Sequence, residues 1–436
     1  MDTKKIIVIA IGILLAVVAI LGILDKDPKE VYSGNFTTTL PVEENNVAAV
    51  AGLNSLVMLV DHSGSMKGYV DHRGHDVENN KFISTCSDFL TNVESKCNTV
   101  CSVSYNGKML DKDTFRDILR TNRAFERGST KVDELIAEAC RYANDTSACV
   151  ILSDMVLSYG IIVLKEEGKN YNRESLDGLH SEIYSEVTKV KDAGYHIMIV
   201  QYLSDFNGEY YYTYTENDLN KNKHYKGKLM SNRPYYMMLV GKKEYLLELY
   251  NKCMKKSEFV YTSFDVQEGK DFHGFSIDEK DNRYWIKCEA DIQETGTFYT
   301  EEDYGEEITE FNVVYNGFVL PEYIKEKDIS LSVTEGFECY NVSYDKEKKS
   351  LGYILKLPKH NTIKKQEVCV KTIVEQNVAW EDVTMLDDVD KELKDIEGKT
   401  WAFSTIVNAI DEAYFGEGKR EASKVVSTAK IKFINN

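Results

Sequence analysis

Residues 56–66, LVMLVDHSGSM, pass from five apolar side chains into an aspartate and then two serines spaced by one residue. A short, unbroken apolar run of this kind suits a strand buried on both faces. Asp61, Ser63 and Ser65 then fall at its tip. A second run, ACVILSD at 148–154, ends the same way and delivers Asp154. Helical spacing separates and follows these strands: Phe82, Ile83, Cys86, Phe89, Leu90 and Val93, then Val132, Leu135, Ile136 and Ala139, then Leu179, Ile183, Val187 and Val190. The third pattern stops at Gly194 and leads into YHIMIVQYL, and PYYMMLVG followed by KEYLLELYNKCM repeats the order. Apolar strands alternating with amphipathic helices predict an α/β domain over 54–256, a doubly wound, mostly parallel Rossmann-type sheet covered on both faces. In such folds ligands bind beyond the carboxyl ends of the strands, where both aspartates fall.

The texture changes from residue 257. RYWIKCEADI, EFNVVYNGFVL, ISLSVTEGFECYNVSYD and LGYILKL alternate apolar and polar residues between charged or Gly-containing turns. They predict a β-rich, sandwich-like domain over 257–436, interrupted by one late helix in WAFSTIVNAIDEAYF and closed by the strand KVVSTAKIKFI. A length of 436 residues with 43% hydrophobic side chains supports two such units. Charge narrows the partners: 53 Lys plus Arg against 71 Asp plus Glu leave −18, with no basic patch to oppose it, so nucleic acid is excluded as an expected ligand.

Ile6 to Leu24, IIVIAIGILLAVVAILGIL, carries no polar side chain and makes roughly 28 Å of helix, the thickness of a bilayer's hydrocarbon core. It predicts a single-pass anchor at 6–24 after a tail at 1–5 and before a stalk at 25–53. A cleaved signal peptide would be shorter and end in a small-x-small site, whereas this run ends LGILDKD. Lys4 and Lys5 precede it, while Lys26 and Lys29 follow among Asp25, Asp27 and Glu30, which favours the N-terminus inside and the bulk outside. Nine cysteines, an odd number, argue against a complete disulfide framework, and Cys86, Cys140 and Cys149 sit in apolar patterns. Cys97 and Cys101 lack the second pair of ligands a zinc site needs and are expected to be structural.

Thr130, at the start of the helix in RGSTKVDELIAEA, joins Asp61, Ser63, Ser65 and Asp154 at the same predicted edge. Two carboxylates and three hydroxyls form an oxygen-only donor set, suited to a hard cation: Mg²⁺ first, with Mn²⁺ or Ca²⁺ as alternates. Two formal negative charges leave such an ion electrophilic and open to an anionic oxygen from outside. These elements, DHSGS at 61–65, Thr130 and Asp154, resemble the metal-ion-dependent adhesion site of von Willebrand factor A domains, D-x-S-x-S followed by Thr and Asp. The resemblance spans roughly half the chain. It implies direct metal ligation by Ser63 and Ser65, ligation by Thr130 directly or through water, contacts from Asp61 and Asp154 mainly through water, and a partner's Asp or Glu completing the shell. The chain departs from the family by inserting YVDHRGHDVENN after the first strand and by its weak strand signals over 97–127, where TVCSVSYNGKML offers a short strand and an Asn-Gly turn. The competing reading of the five residues is a cluster of helix caps and turns, which favour the same residue types.

DHRGHD at 71–76 holds His72 and His75, and GEYYYTYTEN at 208–217 holds Tyr210, Tyr211, Tyr212 and Tyr214. Both are candidate partner-binding elements; a solvated loop and a hairpin extension of the sheet are the respective alternatives. No G-x-S-x-G elbow and no phosphate loop is present, and His62, adjacent to Ser63, would point away from it in an extended chain. The expected function is therefore not enzymatic: a membrane-anchored binding or scaffold protein that recruits a partner carboxylate through a bound cation. The alternatives are a metal-dependent hydrolase using the same cation, and a structural subunit with a vestigial site.

Overall fold

The computed structural model describes residues 52–70, 81–120, 125, 131–157, 173–211, 224–226, 230–257, 259–266, 275–277, 284–287, 295–300, 310–316, 318–356, 365–376, 380–386, 393–416 and 420–435. The predicted anchor at 6–24 and stalk at 25–53 lie outside them, apart from the last two stalk residues. Among the described residues no helix is long and apolar enough to cross a membrane.

The first unit is built on seven strands: β1 (Ser55–Val60), β2 (Val100–Tyr105), β3 (Lys108–Leu110), β4 (Ser147–Ser153), β5 (His196–Phe206), β8 (Met230–Gly241) and β9 (Val260–Thr262). Their order across the sheet is β3-β2-β1-β4-β8-β5-β9. A short hairpin of β6 (Glu209–Tyr211) and β7 (His224–Lys226) stands between β5 and β8 in the chain. β1 pairs in parallel with both β2 and β4, as apolar two-faced strands should. The expectation of a mostly parallel sheet is corrected on the other side: β4–β8, β5–β8 and β5–β9 are all antiparallel, as is β2–β3. The reason is local. β5 returns through the hairpin without a crossover helix, so consecutive strands pair directly, and β8 inserts between β4 and β5. The β2–β3 turn is the Asn-Gly turn, with φ of 50° at Asn106 and 70° at Gly107, the two left-handed positions of a tight hairpin.

Helices cover both faces. On one lie α1 (Lys81–Cys97), α2 (Lys112–Arg120) and α5 (Lys243–Cys253), which bury Phe82, Phe89, Phe115, Leu119, Leu246 and Leu249 against Leu56, Met58, Val150 and Met237. On the other lie α3 (Val132–Tyr142), α4 (Arg173–Asp192) and α6 (Phe403–Phe415). Helix α6 was expected to interrupt the β-rich region. It is a helix, but Phe403, Ile406, Val407 and Ile410 are buried with Ile136, Ile183, Val187 and Ile199 in the core of the first sheet. The domain boundary placed at 256/257 is corrected for the same reason: β9, at 260–262, is the edge strand of that sheet. Phe403 stacks on Tyr236 at 4.5 Å between centroids and meets the edge of Phe259 at 5.7 Å. Arg420 extends the attachment, pairing with Asp411 at 2.8 Å between the rings of Tyr261 and Phe415.

The remaining strands form two further sheets. One is β10 (Phe275–Ile277), β13 (Glu310–Asn316), β16 (Ser350–Lys356) and β15 (Glu338–Asp345), in the order β10-β13-β16-β15. The other is β11 (Tyr284–Lys287), β12 (Thr295–Thr300), β20 (Ser423–Asn435), β17 (Lys365–Glu375) and β14 (Ile329–Val333), in the order β11-β12-β20-β17-β14. Val313, Leu351, Tyr353 and Leu355 from the first share a core with Ile329, Val368, Val370, Val374 and Val426 from the second. That is the sandwich the alternating pattern predicts. One pairing, β12 with β20, is parallel. A minor two-stranded sheet, β18 (Thr384–Met385) with β19 (Thr400–Trp401), leads into α6.

All described cysteines are free. Cys97 and Cys253 bring their Sγ atoms to 3.2 Å, joining the ends of α1 and α5, while Cys86, Cys101 and Cys149 are buried, and burial raises their pKa values. If α6 belongs to the first core, Phe403→Ala should lower the stability of the seven-stranded sheet by about 3–5 kcal/mol, the usual cost of deleting a buried ring. Urea unfolding followed by near-ultraviolet circular dichroism measures it. An unchanged midpoint for the sheet would place the helix outside its folding unit.

Candidate metal centre

Parallel pairing of β1 with β4 matches Val60 to Leu152, so the residues that follow emerge side by side. The Asp61 amide donates to Leu152 O at 2.9 Å, continuing the ladder one step beyond the strands. Asp61 is 3% exposed and Asp154 is fully buried. The turn after β1 organises itself around the first carboxylate. Asp61 Oδ1 accepts the Ser63 amide at 2.9 Å, and Asp61 Oδ2 accepts the Ser153 hydroxyl at 2.7 Å. Ser63 Oγ and Ser65 Oγ lie 2.9 Å apart. A short 3₁₀ helix, Gly64–Tyr69, follows immediately.

The second carboxylate is held by a backbone that bends sharply. Met155, fully buried, has φ of 54°, a left-handed conformation that is strained for a long side chain and is found chiefly where the surroundings enforce it. Its amide donates to Ser153 Oγ at 2.9 Å, and the Val156 amide donates to Asp154 Oδ1 at 3.3 Å. Asp154 Oδ2 is buried and, among the described residues, accepts no hydrogen bond. Burial raises the Asp154 pKa to about 6; Arg233 opposes the rise and the neighbouring Asp61 adds to it.

Arg233 enters from the start of β8. Because β8 runs antiparallel to β4, its first residues lie at the edge where β4 ends. Asn232, with φ of 55°, and the register break opposite Ser204 and Phe206 mark an irregular entry to this strand. Arg233 Nη2 lies 3.8 Å from Asp154 Oδ2, and the guanidinium sits 5.8 Å from the centre of the Phe206 ring. Tyr69 packs beneath, stacked with Phe82, in edge contact with Phe206 and Tyr235, and bonded through its hydroxyl to Pro234 O. The 3₁₀ helix is fastened to the end of β5: the Asn207 amide donates to Gly68 O at 2.8 Å, and a Cβ on Gly208 would come within 2.8 Å of Gly68 Cα. Glycine at both positions permits this backbone crossing.

Four of the sequence candidates, Asp61, Ser63, Ser65 and Asp154, therefore meet. Thr130, His72, His75, Tyr212 and Tyr214 lie outside the described residues. Tyr210 and Tyr211 lie on β6, which pairs with β7 in a two-stranded sheet of its own. Ser153, Met155 and Arg233 were not singled out. An arginine directly before an apolar strand was the available signal for the last, but a parallel β8 would have put it at the opposite edge.

A hard cation fits this donor set. Two carboxylates and two hydroxyls converge, and one buried carboxylate oxygen lacks a hydrogen-bond donor, as expected where a cation supplies the compensation. Among the described residues no group of three or more His, Cys, Asp or Glu side chains is placed to hold a metal. No protein-family model matches the chain, and no curated protein matches it.

The native state holds the Asp154 proton up to about pH 6, while the unfolded chain releases it near pH 4. This group therefore stabilises the cation-free protein fully below about pH 4 and loses that contribution as pH rises through about 6. In the presence of a chelator, Asp154→Asn should gain about 2–3 kcal/mol on the wild type between pH 4 and pH 7. Urea titrations at several pH values measure the difference, and parallel stability profiles would show that Asp154 does not titrate in this range.

Proposed function

We propose that the chain is a membrane-anchored binding protein whose first domain is of the von Willebrand factor A type, and that its centre at Asp61, Ser63, Ser65 and Asp154 holds Mg²⁺ for an acidic residue of a partner protein. The observation that carries the reading is the hydrogen-bonded turn of Asp61, Ser63 and Ser65 at the same strand edge as Asp154, whose buried Oδ2 accepts no hydrogen bond among the described residues. Ser63 and Ser65 would bind the ion directly, and Thr130 would complete the protein's share. Asp61 and Asp154 would orient its water and balance its charge. When bound, the ion supplies a Lewis-acidic site for a carboxylate oxygen. The protein's own part is to hold the hydroxyls and carboxylates in place before the ion arrives, through the Asp61–Ser63 and Asp61–Ser153 hydrogen bonds and the bent backbone at Met155.

The half-exposed Ser65 and exposed Gly64 are where a partner would approach, since Asp61 and Asp154 are themselves buried. The apolar run at 6–24 anchors the chain in this reading, with the bulk of it outside. The β-rich sandwich then serves as a spacer or second interface.

Tagged full-length protein captured from mildly solubilised membranes in Mg²⁺ should bring down a partner that is lost both in EDTA and in the Asp154→Ala variant. Mass spectrometry of the three eluates identifies it. A partner retained equally in all three would exclude cation-bridged recruitment.

A further inference from the structure

Two of the described cysteines bring their sulfurs together. Cys97 ends α1 and Cys253 ends α5, 156 residues apart in sequence, and their Sγ atoms lie 3.2 Å apart with both thiols free. The backbones that carry them are held. Asn92 Nδ2, earlier on α1, donates to Cys253 O at 3.2 Å, and the Thr99 hydroxyl donates to Leu53 O at 2.7 Å and lies 3.1 Å from Cys97 O. Asn98, with φ of 50°, turns the chain from α1 towards β2 between these contacts. The sulfurs therefore face each other across two fastened helix ends, and closing to the about 2.0 Å of a disulfide takes a little over an ångström.

The two thiols differ in what they can do. Cys253 is 2% exposed and belongs to the core under α1 and α5; burial raises its pKa, and the Cys97 thiol beside it adds to the rise. Cys97 is half-buried between exposed Lys96 and Asn98, on the rim of that core. A thiolate is the attacking species in disulfide exchange, and access decides which sulfur an oxidant meets. Cys97 is the accessible one, and Cys253 stands close enough to finish the reaction. Cys101, four residues on, is buried on β2, and burial pushes its thiol up to about 12.

We propose that Cys97 and Cys253 are a modification site, a disulfide formed by exchange with a low-molecular-weight disulfide, with Cys97 attacking and Cys253 resolving. The Cys97 thiol gives up its proton, and its thiolate attacks one sulfur of the oxidant. A mixed disulfide forms, and the first oxidant thiolate leaves and takes up that proton. Cys253 then loses its proton, attacks Cys97 Sγ and displaces the second oxidant thiolate, which carries the proton away. Two electrons pass from the protein pair to the oxidant's disulfide bond, which ends as two thiols. The new bond closes a loop that holds β2, β3, β4, β5 and β8 and leaves β1 and β9 outside. A cross-link over so long a loop stabilises chiefly by restricting the unfolded chain. The pair lies at the end of the sheet where β1 and β2 begin, since Ser55 pairs with Val100, three residues after Cys97. Asp61 and Asp154 follow the opposite ends of β1 and β4, so the bond is independent of any cation held there.

The test equilibrates full-length protein, in detergent and EDTA, with bis(2-hydroxyethyl) disulfide or with dithiothreitol. Each sample is alkylated, digested without reduction and mapped by mass spectrometry, in parallel with urea unfolding followed by near-ultraviolet circular dichroism. Oxidised wild type should yield a peptide linked through Cys97 and Cys253, and its urea midpoint should rise by about 1 M over the dithiothreitol-treated protein. Cys97→Ser and Cys253→Ala should each lose both the linked peptide and the shift, and their agreement separates loss of the bond from damage to packing at the buried position. Cys140→Ser, half-buried on α3, should keep both. Free Cys97 and Cys253 after oxidation, a bond from Cys97 to Cys101, or an oxidant adduct that persists at Cys97 would overturn the assignment. A linked pair with the midpoint of the thiol form would overturn its stabilising role.

Discussion

Everything at the candidate centre depends on β4 being buried along its whole length. From Ser147 to Ser153 no residue of that strand is more than slightly exposed, because helices cover both faces and strands flank both edges. A strand so enclosed must deliver its next residue into a site from which water is largely excluded. Asp154 is that residue, and its raised pKa follows from desolvation, with one of its oxygens accepting no hydrogen bond among the described residues. A carboxylate at the tip of a half-exposed strand would be hydrated and would show no such shift.

The neighbours of β4 supply the answer from opposite directions. β1, parallel to it, ends at the same edge and brings Asp61 with the serine turn. β8, antiparallel, begins there and brings Arg233. One mixed sheet thus places the tail of two strands and the head of a third in a single cluster. The turn after β1 is then pinned from the β5 side through Gly68, Asn207 and Gly208, so the hydroxyls of Ser63 and Ser65 are tied to the sheet on both flanks.

The C-terminal third of the chain is less separate than its alternating pattern suggests. α6 closes one face of the first sheet, and β20, which follows it, lies in the sandwich. The buried network of Gln201, Tyr236 and Thr400 joins the middle of β5 and β8 to the residues that lead into α6. The chain thus leaves the first unit at β9, builds most of the sandwich, returns to complete the first core, and leaves again.

Local sequence was enough for the elements whose signal is carried by their own residues. The apolar runs of β1 and β4, the helical spacing of α1, α3 and α4, the Asn-Gly turn and the alternating strands of the sandwich each need only a burial pattern to be recognised. Asp61, Ser63, Ser65 and Asp154 were legible for the same reason: strand ends mark an edge, and parallel strands share it. Strand direction was decided only by tertiary structure, since an apolar strand buried on both faces looks identical in either orientation. PYYMMLVG therefore gave no sign that it runs against β4, and Arg233 could not be assigned to the centre. Nor could WAFSTIVNAIDEAYF announce which core it fills, because an amphipathic helix specifies that one face is buried and leaves its partner to the packing of residues far away in the chain.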